Sequence, residues 1–203
     1  MIEIPSLNNG ELTLEGYVLD PGAFTFRLDL QALTVKDEIN LLLQTVPLTP
    51  GLMRKRLQKL LDVLCAKSMP RSVSVQLVHT LKSKAYMIDG KDIYFSLGAL
   101  LRGSSAVTFS VFCHEFAHML LSVQDGYASL KVLNRQFKTQ YAAHPSVNLL
   151  SPIEYCAMRI ATEMMQQSCQ VIQNKRIKKH FIVLIDEELH KIAYLENEIK
   201  KIK

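Results

Sequence analysis

Hydrophobic and polar positions change period several times along this chain, and each change marks an element. Glu11 to Val18 and Ala23 to Leu30 are β-like runs separated by Asp20-Pro21-Gly22, where proline presets φ and glycine tolerates a positive one, so a hairpin is predicted. Val35, Ile39, Leu42 and Leu43 then share one helical face. Thr49-Pro50 supplies a cap and first-turn pair for a second helix, in which Leu52, Leu57, Leu60, Leu61 and Leu64 recur near helical spacing. Past Pro70 the period becomes two, with Val73, Val75 and Leu77 alternating against Ser72, Ser74 and Gln76. Lys84 to Ile88 and Asp92 to Ser96 flank Asp89-Gly90-Lys91, so three strands are predicted, the last two a hairpin.

Leu97 to Gly103 reads as a connector. Ser104-Ser105 offers an N-cap for a strongly apolar helix from about Ala106 to Val123, closed by Asp125-Gly126, and a further helix begins at Ser151-Pro152 and runs to about Asn174. The polar and small residues between these two helices read as a loop. Ile185, Leu189, Ile192, Leu195, Ile199 and Ile202 recur every three or four residues, one apolar seam on a C-terminal helix able to face an oligomer or partner. The predicted order is two strands, two helices, three strands and three helices. That is an α+β chain with a small antiparallel or mixed sheet and a helical C-terminal half.

Composition narrows the function classes. With 203 residues and 48% of them apolar, the chain is expected to form one globular domain rather than a disordered one, and no apolar run approaches the ~20 residues of a membrane span. The start, Met1 to Pro5, lacks a basic segment followed by an apolar one, so no secretory leader is expected. Four cysteines, Cys65, Cys113, Cys156 and Cys169, are widely spaced in apolar contexts and read as reduced thiols of a cytoplasmic protein. The net charge of +5 gathers mainly at Lys175, Arg176, Lys178 and Lys179 without interleaved aromatics, which reads as a solvated helix end and not as a nucleic-acid site.

The chemistry lies in Val111-Phe112-Cys113-His114-Glu115-Phe116-Ala117-His118-Met119-Leu120. On a helix, residues four apart differ by about 40° around the axis, so His114 and His118 point the same way and can share one Zn²⁺. Glu115 lies beside that face, placed to serve as general base toward water without being a ligand. With 6 histidines in the chain, a His-Glu-x-x-His match arises by chance only ~0.01 times. The alternative is a helix whose two histidines and glutamate bond one another inside a core, which requires every one of those polar groups to be satisfied internally.

These residues resemble the active-site helix of the zincin metallopeptidases, and the resemblance takes in the preceding strand, Ile93 to Ser96, which in such enzymes forms the edge along which an extended substrate lies. It implies a zincin-like catalytic core over 71–174, after an N-terminal segment 1–70 and before an amphipathic helix 175–203. A catalytic zinc needs a third protein ligand. Met119 to Gly126 contains no histidine, unlike the metzincins, so the likeness is to the gluzincins, whose third ligand is a glutamate. Ser151-Pro152-Ile153-Glu154-Tyr155-Cys156-Ala157-Met158 is similar to the Glu-Tyr-x-Ala-Asp segment that supplies it, which implicates Glu154. Met158 departs from that pattern, since the families place there an aspartate that supports a ligating histidine.

Two alternatives stay open for the third ligand. Ser151-x-x-Glu154 is also a capping box, and Glu163, nine residues on and about 180° round the same helix, competes for the role. His144 falls in the inter-helix loop, where such enzymes carry a residue that stabilises the transition state. The expectation is a peptidase with one zinc per chain acting on peptide or protein. A non-catalytic zincin-fold module and a zinc hydrolase of small amides are the alternatives.

Overall fold

The computed structural model describes residues 32–44, 48–65, 73–79, 85–88, 92–123, 127–144, 147–149 and 151–201. The hairpin expected within 11–30, the Asp89-Gly90-Lys91 turn and the stop at Asp125-Gly126 lie outside them.

Helix α1, Leu33–Leu42, buries Val35, Ile39 and Leu42 on one side. Its Asn40 donates from Nδ2 to the Val171 carbonyl (3.0 Å) and accepts from the Gln173 N–H (2.9 Å), which ties the start of the described chain to the end of a distant helix. Helix α2, Pro50–Cys65, starts where the Thr49 hydroxyl accepts from the Leu52 N–H. Gln58 of α2 accepts from the Val75 N–H and donates to the Val73 carbonyl, pinning the helix to the first strand.

Strands β1 (Ser74–Val78), β2 (Ala85–Ile88) and β3 (Asp92–Ser96) form a mixed sheet in the order β1-β3-β2. β1 runs parallel to β3 with Val75 opposite Ile93, whereas β2 runs antiparallel with Ala85 opposite Phe95. The three strands and the hairpin pairing agree with the alternation of the sequence. The expected edge strand does not, because Ile93 to Ser96 is the centre of the sheet and both of its hydrogen-bonding sides are taken. Alternation marks which residues face the core, as Val75, Ile93 and Phe95 do here, but carries no information on the lateral position of a strand.

Helix α3, Leu97–Arg102, occupies the segment that reads as a connector; six residues with one buried position, Leu100, are too few to show a period. Helix α4, Ser105–Ser122, begins where the Ser104 hydroxyl accepts from the Val107 N–H (3.2 Å), as the sequence predicts. A second departure follows, since helix α5, Tyr127–Gln140, fills much of the expected loop and buries Leu130, Leu133 and Phe137 at spacings of three and four. Polar residues on its outer face dilute that signal.

Helix α6, Pro152–Val171, ends three residues short of Asn174, whose side-chain oxygen instead accepts from the Arg176 and Ile177 N–H groups and caps helix α7, Lys175–Lys201. The buried face of α7 carries Ile177, Phe181, Ile185, Ile192 and Leu195, with the Phe181 ring 5.6 Å from that of Phe109 in α4. Leu189 of the expected seam is 39% exposed, because at that level the helix turns charged residues toward a cleft. α4 and α6 form the most extensive helix pair; α7 packs on both, and β2 lies against α4. Among the described residues, no helix is long and apolar enough to cross a membrane.

Candidate metal centre

Helix α4 is buried on most sides, with Phe109, Phe112, Cys113, Phe116 and Ala117 at or near zero exposure. His114, Glu115 and His118 lie in its middle turns. Their one-turn spacing brings the two imidazoles together at 4.8 Å between ring centroids and nearly perpendicular, with Nε2 atoms 3.1 Å apart. Glu154, in the first turn of α6, places its Oε2 3.4 Å from the His114 Nε2 and 3.5 Å from that of His118. All three side chains are half-buried, at 31%, 14% and 34% exposure.

Three atoms with free electron pairs thus face one another at 3.1, 3.4 and 3.5 Å. In a tetrahedral site with ligand bonds of ~2.0–2.1 Å, neighbouring donor atoms sit about 3.3–3.4 Å apart, so the observed triangle has the dimensions of one face of such a tetrahedron. A His-His-Glu donor set of this size can hold a metal ion. The electrostatics favour a cation there. Burial works against ionising Glu154, yet hydrogen bonds and charges from both histidines outweigh it and hold the carboxyl well below the usual range. Burial likewise favours neutral His114, but the Glu154 contact and the charges of Glu115, Glu154 and Glu188 together raise its pKa above 6.5.

The two readings of Glu154 separate here. A capping box would have Ser151 and Glu154 serve each other's backbone. Instead the Ser151 side chain makes no cap bond, its N–H faces the Asn148 carbonyl, and the Glu154 carboxylate turns to the histidines. Asn134 of α5 accepts from the Ile153 N–H (3.2 Å) in its place. The first turn of α6 is held from the other side by α7, where Glu196 accepts from the Tyr155 hydroxyl (2.6 Å) and meets Arg159 at 3.5 Å. Asn134 and Glu196 escape the sequence reading because nothing local marks a polar residue as the partner of a helix start far along the chain.

Glu163 is outside this group and accepts from Gln167 one turn further on. His144 faces Glu198 of α7 at 3.9 Å and is not among the residues lining the cleft at the site. Met158 is buried and lines that cleft, and among the described residues no hydrogen bond reaches the Nδ1 of His114 or His118. The four cysteines are free and buried; burial pushes the thiols of Cys113 and Cys156, the sequence neighbours of site residues, far above the ordinary range, so neither is available as a thiolate ligand.

The cleft measures about 510 Å³. Val107, Val111, His114 and Glu115 of α4 form one wall, Met158, Ala161 and Met165 of α6 the floor, and Leu184, Glu187, Glu188 and Lys191 of α7 the other wall, with Ala85 of β2 at the side. Glu115 is only 8% exposed, and this cleft is where its carboxylate can meet a bound molecule. No protein-family model matches this chain, and comparisons with curated proteins and with solved structures also returned no match.

Proposed function

We propose that this chain is a zinc-dependent metallopeptidase of zincin-like arrangement, with His114, His118 and Glu154 as the zinc ligands and Glu115 as the general base. The observation that supports it most is the donor triangle itself, whose edges of 3.1, 3.4 and 3.5 Å suit tetrahedral zinc, set on a His-Glu-x-x-His helix with Glu115 opening on the adjoining cleft. A bound zinc supplies Lewis acidity, which makes water acidic near neutral pH and polarises the scissile carbonyl. Glu115 accepts one proton of the attacking water while its oxygen bonds to the carbonyl carbon. As the C–N bond breaks, the carboxyl returns that proton to the departing amine nitrogen.

An extended substrate requires a strand with a free side. β3 is paired on both sides, so the role falls to β2, which has no outer partner strand among the described residues and lies against α4. A non-catalytic metal-binding module is favoured by one observation, Met158 at the position where a supporting aspartate stands in the families this helix resembles.

Elemental analysis and a peptide digest test the reading together. The purified chain is expected to carry one zinc, His114→Ala or His118→Ala to lose it, and Glu115→Gln to keep it while cleavage of a peptide library disappears. A zinc-replete Glu115→Gln protein that still cleaves refutes the assigned base, and a wild type that holds zinc yet cleaves nothing favours the binding module.

A further inference from the structure

Resting on that reading of the site, we propose that the cleft beside His114 accepts a lysine or arginine side chain of the substrate, and that Glu187 and Glu188 of α7 determine this specificity. The cleft is amphipathic in the way a long cationic side chain is. Val111, Met158 and Met165 make an apolar path along α4 and α6, and Glu187 and Glu188 stand on the facing wall. A lysine or arginine can lay its methylenes on that path and end its charge at the carboxylates.

The charge balance points the same way. Glu154 and Glu115 together offset a divalent ion at the donor triangle, and Glu188 is neutralised by Lys191, whose Nζ lies 2.5 Å from its Oε1. Glu187 also lines the cleft and, among the described residues, makes no ion pair, so one negative charge is left over in a chain whose overall charge is +5. Glu188 lines the same cleft as His114, so its carboxylate and the donor triangle share one space. An acidic side chain would meet like charges here. An aliphatic one would strip water from the two carboxylates and offer them nothing.

The test measures binding apart from catalysis. Two fluorescein-labelled ten-residue peptides of glycine, serine and leucine, identical except for a central Lys-Lys or Glu-Glu pair, are titrated by anisotropy against zinc-loaded Glu115→Gln protein at low ionic strength. The lysine peptide is expected to bind at least ten-fold more tightly. Adding Glu187→Gln and Glu188→Gln should bring the two affinities within about two-fold of each other, while Lys191→Met, which frees Glu188, should widen the gap. Equal affinities, tighter binding of the glutamate peptide, no binding of either, or a preference untouched by the glutamine pair overturns the proposal. Cleavage by the wild-type chain is read separately by mass spectrometry. Preferential binding without cleavage refutes the hydrolytic reading alone, and cleavage without charge preference refutes this specificity alone.

Discussion

Removing the Glu154 carboxylate is the perturbation that bears most directly on the centre. Structural four-ligand zinc sites bind with about 10–16 kcal/mol, so one ligand accounts for about 3 kcal/mol, or roughly a hundred-fold in affinity. On the proposed zinc assignment, zinc at a free concentration 100 times the wild-type Kd should stabilise the wild type by about 2.7 kcal/mol. The Glu154→Ala chain, its Kd then equal to the zinc concentration, gains only about 0.4 kcal/mol. For a chain near 200 residues, at about 2–4 °C per kcal/mol, the zinc-induced rise in Tm should therefore shrink by about 5–9 °C. Calorimetry with and without zinc measures that rise, and competition against a chromogenic chelator measures the affinity. Glu163→Ala is the control, because Glu163 accepts from Gln167 on its own helix, and its loss should cost about 0.5 kcal/mol with the zinc-induced rise intact. A purely capping Glu154 would lower Tm equally in the presence and absence of zinc. An undiminished zinc shift in Glu154→Ala beside a lost one in Glu163→Ala would refute the geometry of the triangle.

Protons compete with the metal. Because the His114 pKa is raised above 6.5, zinc affinity measured by competition should already fall as pH drops through that raised value, and in Glu154→Gln the onset should move to lower pH. In the metal-free chain, the raised His114 pKa contributes stability that is complete below 6.5 and lost as pH rises through the folded value. The depressed Glu154 pKa contributes stability present above 4.5 and lost as pH falls through its folded value. Urea midpoints of wild type and Glu154→Gln should thus differ most between about pH 4.5 and 6.5, and a gap widest above pH 8 would contradict the coupling. Phe181→Ala, at a fully buried ring packed 5.6 Å from Phe109, should cost about 3–5 kcal/mol in chemical denaturation; a loss below 1 kcal/mol would mean that α7 is not integral to the α4 core.

Local chemistry alone determined a good part of this protein. The one-turn spacing of His114 and His118 makes them converge on any helix, and the Ser104 cap and the apolar run behind it make that stretch a helix whatever it packs against. Alternation was likewise enough to mark β1 and β3 and their buried sides. What lay beyond the sequence was whatever depends on neighbours distant along the chain. In the sequence Glu154 is the favoured third ligand but also fits a cap, and the choice is made by Asn134 at the Ile153 N–H and by α6 bringing the Glu154 carboxylate to the level of the histidines. β3 took the centre of the sheet because β1 and β2 pair on its two sides, a choice no side-chain pattern encodes. Glu188 reached the cleft because packing Phe181 and Ile192 on the core sets the rotation of α7 and carries the charged face between them to the site. Periodicity specifies faces within one element, whereas ligands, edges and clefts are made between elements, where only the packed structure decides which faces meet.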